Sequence, residues 1–161
     1  MQRPAELEHH WVMIRRAVAV DQPIVESVVQ AAYAPWIDII GGRPRPMEAD
    51  YAELIAAGQV WVLDPLEGLI VLVPEDGVLL IESVAVGPAA QGRGLGPRLL
   101  AFAEQQARAR GLSTLRLYTN EKMVSNIALY QRLGYVCDRT GVHQRPLRTS
   151  RAKAIAAHLT P

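Results

Sequence analysis

Residues 12–18 (VMIRRAV) intersperse apolar and basic side chains and predict a first strand. Val25, Val28, Val29 and Ala32 fall at helical spacing. They predict a helix near residues 23–33, with Pro23 in its first turn and Asp21 as its cap. Residues 34–46 (APWIDIIGGRPRP) are broken by Pro and Gly and must contain a loop. A second helix is predicted at about 47–57, ending at Gly58. Three strand-like runs follow at 59–64, 68–73 and 77–86. DPLEG and PEDG separate them with strong turn chemistry, which predicts an antiparallel meander. Leu95, Leu99, Phe102 and Ala103 mark the buried stripe of a helix from about 95 to 110, closed by Gly111. Residues 114–119 (TLRLYT) alternate as a strand, 125–134 (SNIALYQRLG) form a short helix, and 135–139 (YVCDR) read as a further strand. Past residue 139 the pattern is not legible, and residues 152–159 are either a short helix or a frayed tail. The order β-α-α-β-β-β-α-β-α-β defines an α/β fold with a mixed, largely antiparallel sheet flanked by helices.

The 161 residues suit a single domain, with its core at about 12–139 and a tail from 140 to 161. Seventeen basic against 16 acidic side chains leave a net charge of +1, which argues against a broad nucleic-acid footprint. The single cysteine, Cys137, excludes an intrachain disulfide and a Cys-rich zinc site, and it fits a reducing compartment. The longest apolar run, LIVLV at 69–73, is strand-sized, well short of the ~18 residues of a membrane span. The N-terminal MQRPAELEHHW lacks the apolar core of a signal peptide. These features lead us to expect a cytoplasmic protein that binds neither membrane nor nucleic acid. His9, His10, His143 and His158 have no metal-ligand spacing, so no metal is expected. Trp11 and Trp61 read as structural.

The unusual stretch is SVAVGPAAQGRGLGPRLL at 83–100, where an apolar run breaks into Gly92, Gly94 and Gly96 before an amphipathic helix. Glycine admits positive φ and leaves no Cβ to hold a ligand away. Such a turn can aim successive N–H groups into one concavity, and the helix start adds unpaired N–H groups and the positive end of its dipole. This is an anion site, most often for phosphate. GRGLGP departs from the dinucleotide fingerprint G-x-G-x-x-G, and no Gly-Lys-Ser/Thr of a P-loop is present. The alternative is a glycine-rich surface turn without a ligand.

Gln91-x-x-Gly94-x-Gly96, after an apolar strand and before an amphipathic helix, resembles the acyl-CoA pyrophosphate loop of the GNAT N-acetyltransferase superfamily. NEKMVSNIALYQRLGY (120–135) is similar to that superfamily's next motif, an Asn with a Tyr four residues later and then Leu-Gly-Tyr. The resemblance is strong over about 59–135, looser over 12–58, and stops near Arg139, where the last strand usual in the family is not legible. It implies a GNAT-like sheet with splayed parallel central strands and an acetyl-CoA-dependent transfer to a primary amine of a small molecule or peptide, by direct attack in a ternary complex. It implies that Gln91, Gly92, Arg93, Gly94, Leu95, Gly96 and Pro97 surround the pyrophosphate. Val84, Ala85 and Val86 would pair with the pantetheine arm, with the Val84 N–H polarising the thioester carbonyl, and the strand would splay from the one near 114–119. Tyr130 would protonate the departing thiolate, and Asn126 would bond the pantetheine. Tyr33, Trp36 and Asp38 would wall the acceptor. A homodimer is a further expectation from the family.

Each assignment has a rival. Tyr130 is otherwise a filler of the helix stripe with Ile127 and Leu133, and Ser125 or Asn126 is otherwise the N-cap. Glu82, the one acid in the apolar run 78–86, is a candidate base acting through water, with a pKa raised by apolar neighbours. Its rival is a solvated or paired Glu, or one that only attracts a cationic acceptor. Tyr33 and Trp36 suit core packing equally well. At the level of function the rivals are a non-catalytic acyl-CoA sensor, which a degraded loop or missing Tyr would have favoured, and a nucleic-acid-associated protein using the basic tail HQRPLRTSRAK.

Overall fold

The computed structural model describes residues 13–138 and 141–147. The readings placed on Trp11, His9, His10, His158 and residues 152–159 lie outside the described residues. The expected α/β class is borne out. Seven strands form one sheet in the order β1-β2-β3-β4-β5-β7-β6. They are β1 (Met13–Arg16), β2 (Val60–Asp64), β3 (Gly68–Glu75), β4 (Val78–Val86), β5 (Thr114–Tyr118), β6 (Val136–Cys137) and β7 (Val142–Pro146). The pairs β1–β2, β2–β3, β5–β7 and β6–β7 are antiparallel, and β4–β5 is parallel. The helices are α1 (Gln22–Tyr33), α2 (Trp36–Ile40), α3 (Tyr51–Ala56), α4 (Leu95–Ala109) and α5 (Val124–Arg132). The chain forms two compact units, and each draws on separated stretches of sequence.

The first unit holds residues up to Leu72 together with Glu82–Leu100. Its core is the apolar run Leu69, Ile70, Val71 and Leu72 of β3, which is buried on both faces, with Val60, Val62 and Leu63 of β2. Val25 and Val29 of α1 are fully buried one turn apart, as the helical spacing requires. Asp21 occupies the N-cap position of α1 but does not cap it. Its carboxylate takes the Arg15 guanidinium at 2.8 and 3.1 Å and the Val18 N–H at 2.8 Å, so it closes the preceding 3-10 turn instead. Arg15 and that N–H hold the Asp21 carboxyl below the usual range.

Two helix readings need correction here. The break-rich segment 34–46 holds the short helix α2 besides its loop, because WIDII is free of Pro and Gly. The helix expected over 47–57 is a 3-10 turn at Arg45–Glu48 followed by α3, which starts late because Asp50 is its cap and accepts the Glu53 N–H.

The second unit holds Val73–Ile81 and residues from Ala101 on. Here β4 and β5 run parallel, Val78 opposite Thr114 through Ile81 opposite Leu117. The strand that the sequence hides is β7. It pairs with β5 over its whole length and with β6 on its other side. Four of its five residues, VHQRP, are polar or proline, so no alternating apolar face announces it. Its basic residue Arg145 forms an ion pair with Glu104 of α4, and Glu104 also holds Arg108. Charges that obscure the strand in the sequence are thus its tertiary partners.

His143 is the exception on β7, with 0 % of its surface exposed. Burial pushes its pKa below the ordinary histidine value, against an opposing pull from Asp138. The unfolded chain takes up this proton near pH ~6.5, before the folded chain does. The contribution of neutral His143 is therefore fully present above that pH and is lost as pH falls through the folded value. The melting temperature should fall more between pH 7.5 and 5.5, as set in the buffers, for the wild type than for His143→Phe. Equal slopes would show that His143 carries none of the acid sensitivity.

Candidate functional site

The first unit holds the glycine loop. After β4 the chain makes a 3-10 turn at Pro88–Ala90, runs extended through Gln91, and enters α4 at Leu95. Gly92 and Gly94 sit at φ +81° and +75°, the left-handed region that glycine alone enters without strain. Gly96 lies inside the first turn of α4 and has no positive φ, so the three glycines do not share one backbone reason. What they share is space: a Cβ built on any of them meets nothing within 4 Å. The backbone is therefore open to close approach along the whole turn.

The helix starts on this loop, with the Arg98 N–H bonded to the Gly94 carbonyl at 3.2 Å. Pro97 is the third helical residue, where its missing N–H forfeits no helix bond. Leu95 buries its side chain and so offers only its main chain. The Gln91 amide donates to the Val86 carbonyl at 3.2 Å, which ties the loop to the strand it left. Arg93 pairs with Glu67 at 3.1 Å.

Residues 82–86 continue β4 beyond the register it shares with β5, which ends at Ile81. Ala85 is buried, whereas Val84 and Val86 are half-buried. The Tyr33 hydroxyl, at the end of α1, donates to the Val84 carbonyl at 2.8 Å. Structure thus joins an expected acceptor residue to an expected donor-binding residue. Trp36 is half-buried and Asp38 exposed, both on α2.

Glu82 requires a correction. It is exposed on β4, because the strand alternates and its buried neighbours Ile81 and Ser83 leave it facing out. The apolar side chains that neighbour it in the sequence do not enclose it. Its neighbour is Tyr51, which the sequence reading passed over. The Tyr51 hydroxyl donates to the Pro46 carbonyl at 2.6 Å. Burial pushes its pKa up to about 12, opposed by the Ser83 hydroxyl and aided by the carboxylates of Glu82 and Glu26. Glu26 also escaped the sequence reading; α1 and β4 bring it and Glu82 into range of the same phenol.

The second unit holds an aromatic cluster. Tyr130 is 7 % exposed, and its ring meets Tyr135 at 5.8 Å and His143 at 5.7 Å, both edge-on. Burial pushes the Tyr130 phenol up to about 12. Asn126 is half-buried one turn earlier on α5. The capping alternative for Ser125 and Asn126 is not realised. Helix α5 begins at Val124 after Met123, so both residues lie inside its first turn. The Asn120 side chain instead bonds the Lys122 N–H in the turn before it, at 2.9 Å. Among the described residues no group of three or more His, Cys, Asp or Glu side chains is placed to hold a metal ion. No helix among them is long and apolar enough to cross a membrane.

A mixed sheet with one parallel pair, and an open glycine turn leading from that pair's first strand into a helix, is the architecture of the acyl-CoA-dependent N-acyltransferases. The fold matches the PaiA N-acetyltransferase of Thermoplasma acidophilum, solved in complex with coenzyme A, with a TM-score of 0.74 at 16 % identity over 84 % of this chain and 99 % of that one. Residues 27–135 match the model of the Acetyltransferase (GNAT) family, and the chain belongs to that family. It is also similar to an IAA acetyltransferase of Azospirillum brasilense, 40 % identical over 42 % of this chain and 44 % of that protein. A mycothiol acetyltransferase of Streptosporangium roseum is 44 % identical over 32 % of this chain and 15 % of that protein. The chain thus spans less than half the length of these two curated relatives.

Proposed function

We propose that this protein transfers an acetyl group from acetyl-CoA to a primary amine of a small molecule or peptide, by direct attack within a ternary complex. The observation that carries the reading is the loop: paired left-handed glycines at 92 and 94, open to close approach and running straight into the N-terminus of α4. Main-chain N–H groups there suit a pyrophosphate, whose charge the helix dipole favours. Acetyl-CoA supplies the acetyl group as a thioester. The half-buried strand 84–86 offers edge N–H and C=O groups for an amide-bearing arm. Polarising the thioester carbonyl needs a donor, and the Val84 N–H is the group assigned to it, while the carbonyl of the same residue accepts from the Tyr33 hydroxyl.

The amine nitrogen forms the new bond to carbon, the carbon–sulfur bond breaks, and the amine proton leaves to water or to Glu82. Tyr130 supplies the proton to the sulfur. A phenol at about 12 stays protonated at neutral pH, so the proton is in place beforehand. Burial that penalises a phenolate penalises a bare thiolate as well, and the transfer follows the charge as it develops. Exposed Glu82 is suited to a water-mediated base or to drawing in a cationic amine. Tyr33, Trp36 and Asp38 are assigned to the acceptor wall.

Purified protein with acetyl-CoA and a panel of amines should release free thiol with at least one acceptor class and yield the matching amide by mass. Tight CoA binding without thiol release from any amine, amino acid, polyamine or peptide N-terminus would favour a sensor instead.

A further inference from the structure

The loop's one internal cation is tied to a carboxylate from a distant part of the sequence. Glu67 is at the tip of the β2–β3 hairpin, and both of its carboxylate oxygens accept from Arg93 Nη1, at 3.2 and 3.1 Å. Arg93 stands between two left-handed glycines, and its side chain is about half exposed. Glu67, by contrast, is held firmly. Its N–H donates to the Pro65 carbonyl at 2.8 Å, and its carbonyl accepts the Gly87 N–H at 2.8 Å, just where the loop departs from β4. The next residue, Gly68, is packed so closely that a Cβ would lie 2.9 Å from the Ala85 carbonyl oxygen and 2.9 Å from Leu63 Cδ1. The hairpin tip is thereby fastened to the strand that leads into the loop.

We infer that Glu67 is a positioning residue for Arg93, fixing the guanidinium over the loop before the pyrophosphate arrives; this rests on reading the loop as the acetyl-CoA site. An arginine that turns to its ligand from a half-exposed position gives up rotamer freedom on binding, and a carboxylate that restrains it beforehand lowers that cost. One Arg nitrogen on a carboxylate is compatible with phosphate contact, because the guanidinium carries five donors.

The test is CoA affinity by calorimetry, which needs no acceptor. Glu67→Ala should weaken CoA binding about three- to tenfold, the scale of immobilising one rotamer-rich side chain. Glu67→Met, which keeps the bulk but no acceptor oxygen, should match the Ala variant and serves if Ala disturbs the hairpin. Glu67→Gln retains an acceptor for Arg93 and should stay within about twofold of wild type. In an Arg93→Ala background the Glu67→Ala change should have almost no further effect, because the two residues then act as one unit. Unchanged or tighter CoA binding in Glu67→Ala and Glu67→Met would overturn the inference, as would the same loss with and without Arg93. A wild type that fails to bind CoA would overturn the donor-site reading itself, a separate result.

Discussion

Tyr130→Phe should lower the single-turnover rate of acetyl transfer by ~10²–10⁴-fold, the loss typical of removing a general acid, with CoA affinity nearly unchanged. The substitution removes one oxygen and keeps the ring. The edge-on contacts with Tyr135 and His143 survive it, so the melting temperature should stay close to wild type. Burial argues for a large effect. On the proposed reading, a phenol 7 % exposed leaves few waters beside it to take over its proton transfer. The measurement must isolate chemistry, since slow product release would mask the loss in steady state. A Phe variant with the wild-type single-turnover rate would reduce Tyr130 to a packing residue of α5. A variant that lost its melting transition as well would say nothing about the proton and would be replaced by a fluorinated tyrosine, whose lowered pKa should shift the pH profile.

Gly94→Val should weaken CoA binding by about a hundredfold or more. Holding a β-branched residue at positive φ costs on the order of 1–3 kcal/mol, and the isopropyl group occupies the space the pyrophosphate needs. Gly94 is at φ +75° with nothing within 4 Å of its absent Cβ, so a β-carbon there meets no neighbour and the strain falls on the backbone alone. Gly94→Ala should fall between, with the same backbone strain and less intrusion. Calorimetry on both variants, set beside their melting curves, separates loss of site from loss of fold. Wild-type affinity in Gly94→Val would remove the loop from the donor site.

Much of the sheet is legible in the sequence because its central strands are apolar enough to be buried on both faces. LIVLV reads as β3 without any knowledge of what surrounds it. The loop is legible for a local reason too, since left-handed turns demand glycine wherever they occur. What escapes the sequence depends on partners far along the chain. Polar β7 becomes a strand only once β5 and β6 flank it, and Arg145 has a reason to be there only beside Glu104. Glu82 looks like a buried acid when its neighbours are counted along the chain. It becomes an exposed one when the two faces of β4 are separated. Glu67 gives no signal in DPLEG beyond turn chemistry, because its link to Arg93 spans 26 positions.

Neither compact unit is an unbroken stretch of chain. The polypeptide passes from one to the other after Leu72, after Ile81 and after Leu100, twice inside a strand and once inside a helix. During synthesis, the early residues must therefore wait for Glu82–Leu100 to emerge before their unit can close, and the segment that closes it is the one carrying the glycine loop. A truncated product ending before that segment would lack the turn on which the proposed donor site rests, and its first unit would be incomplete.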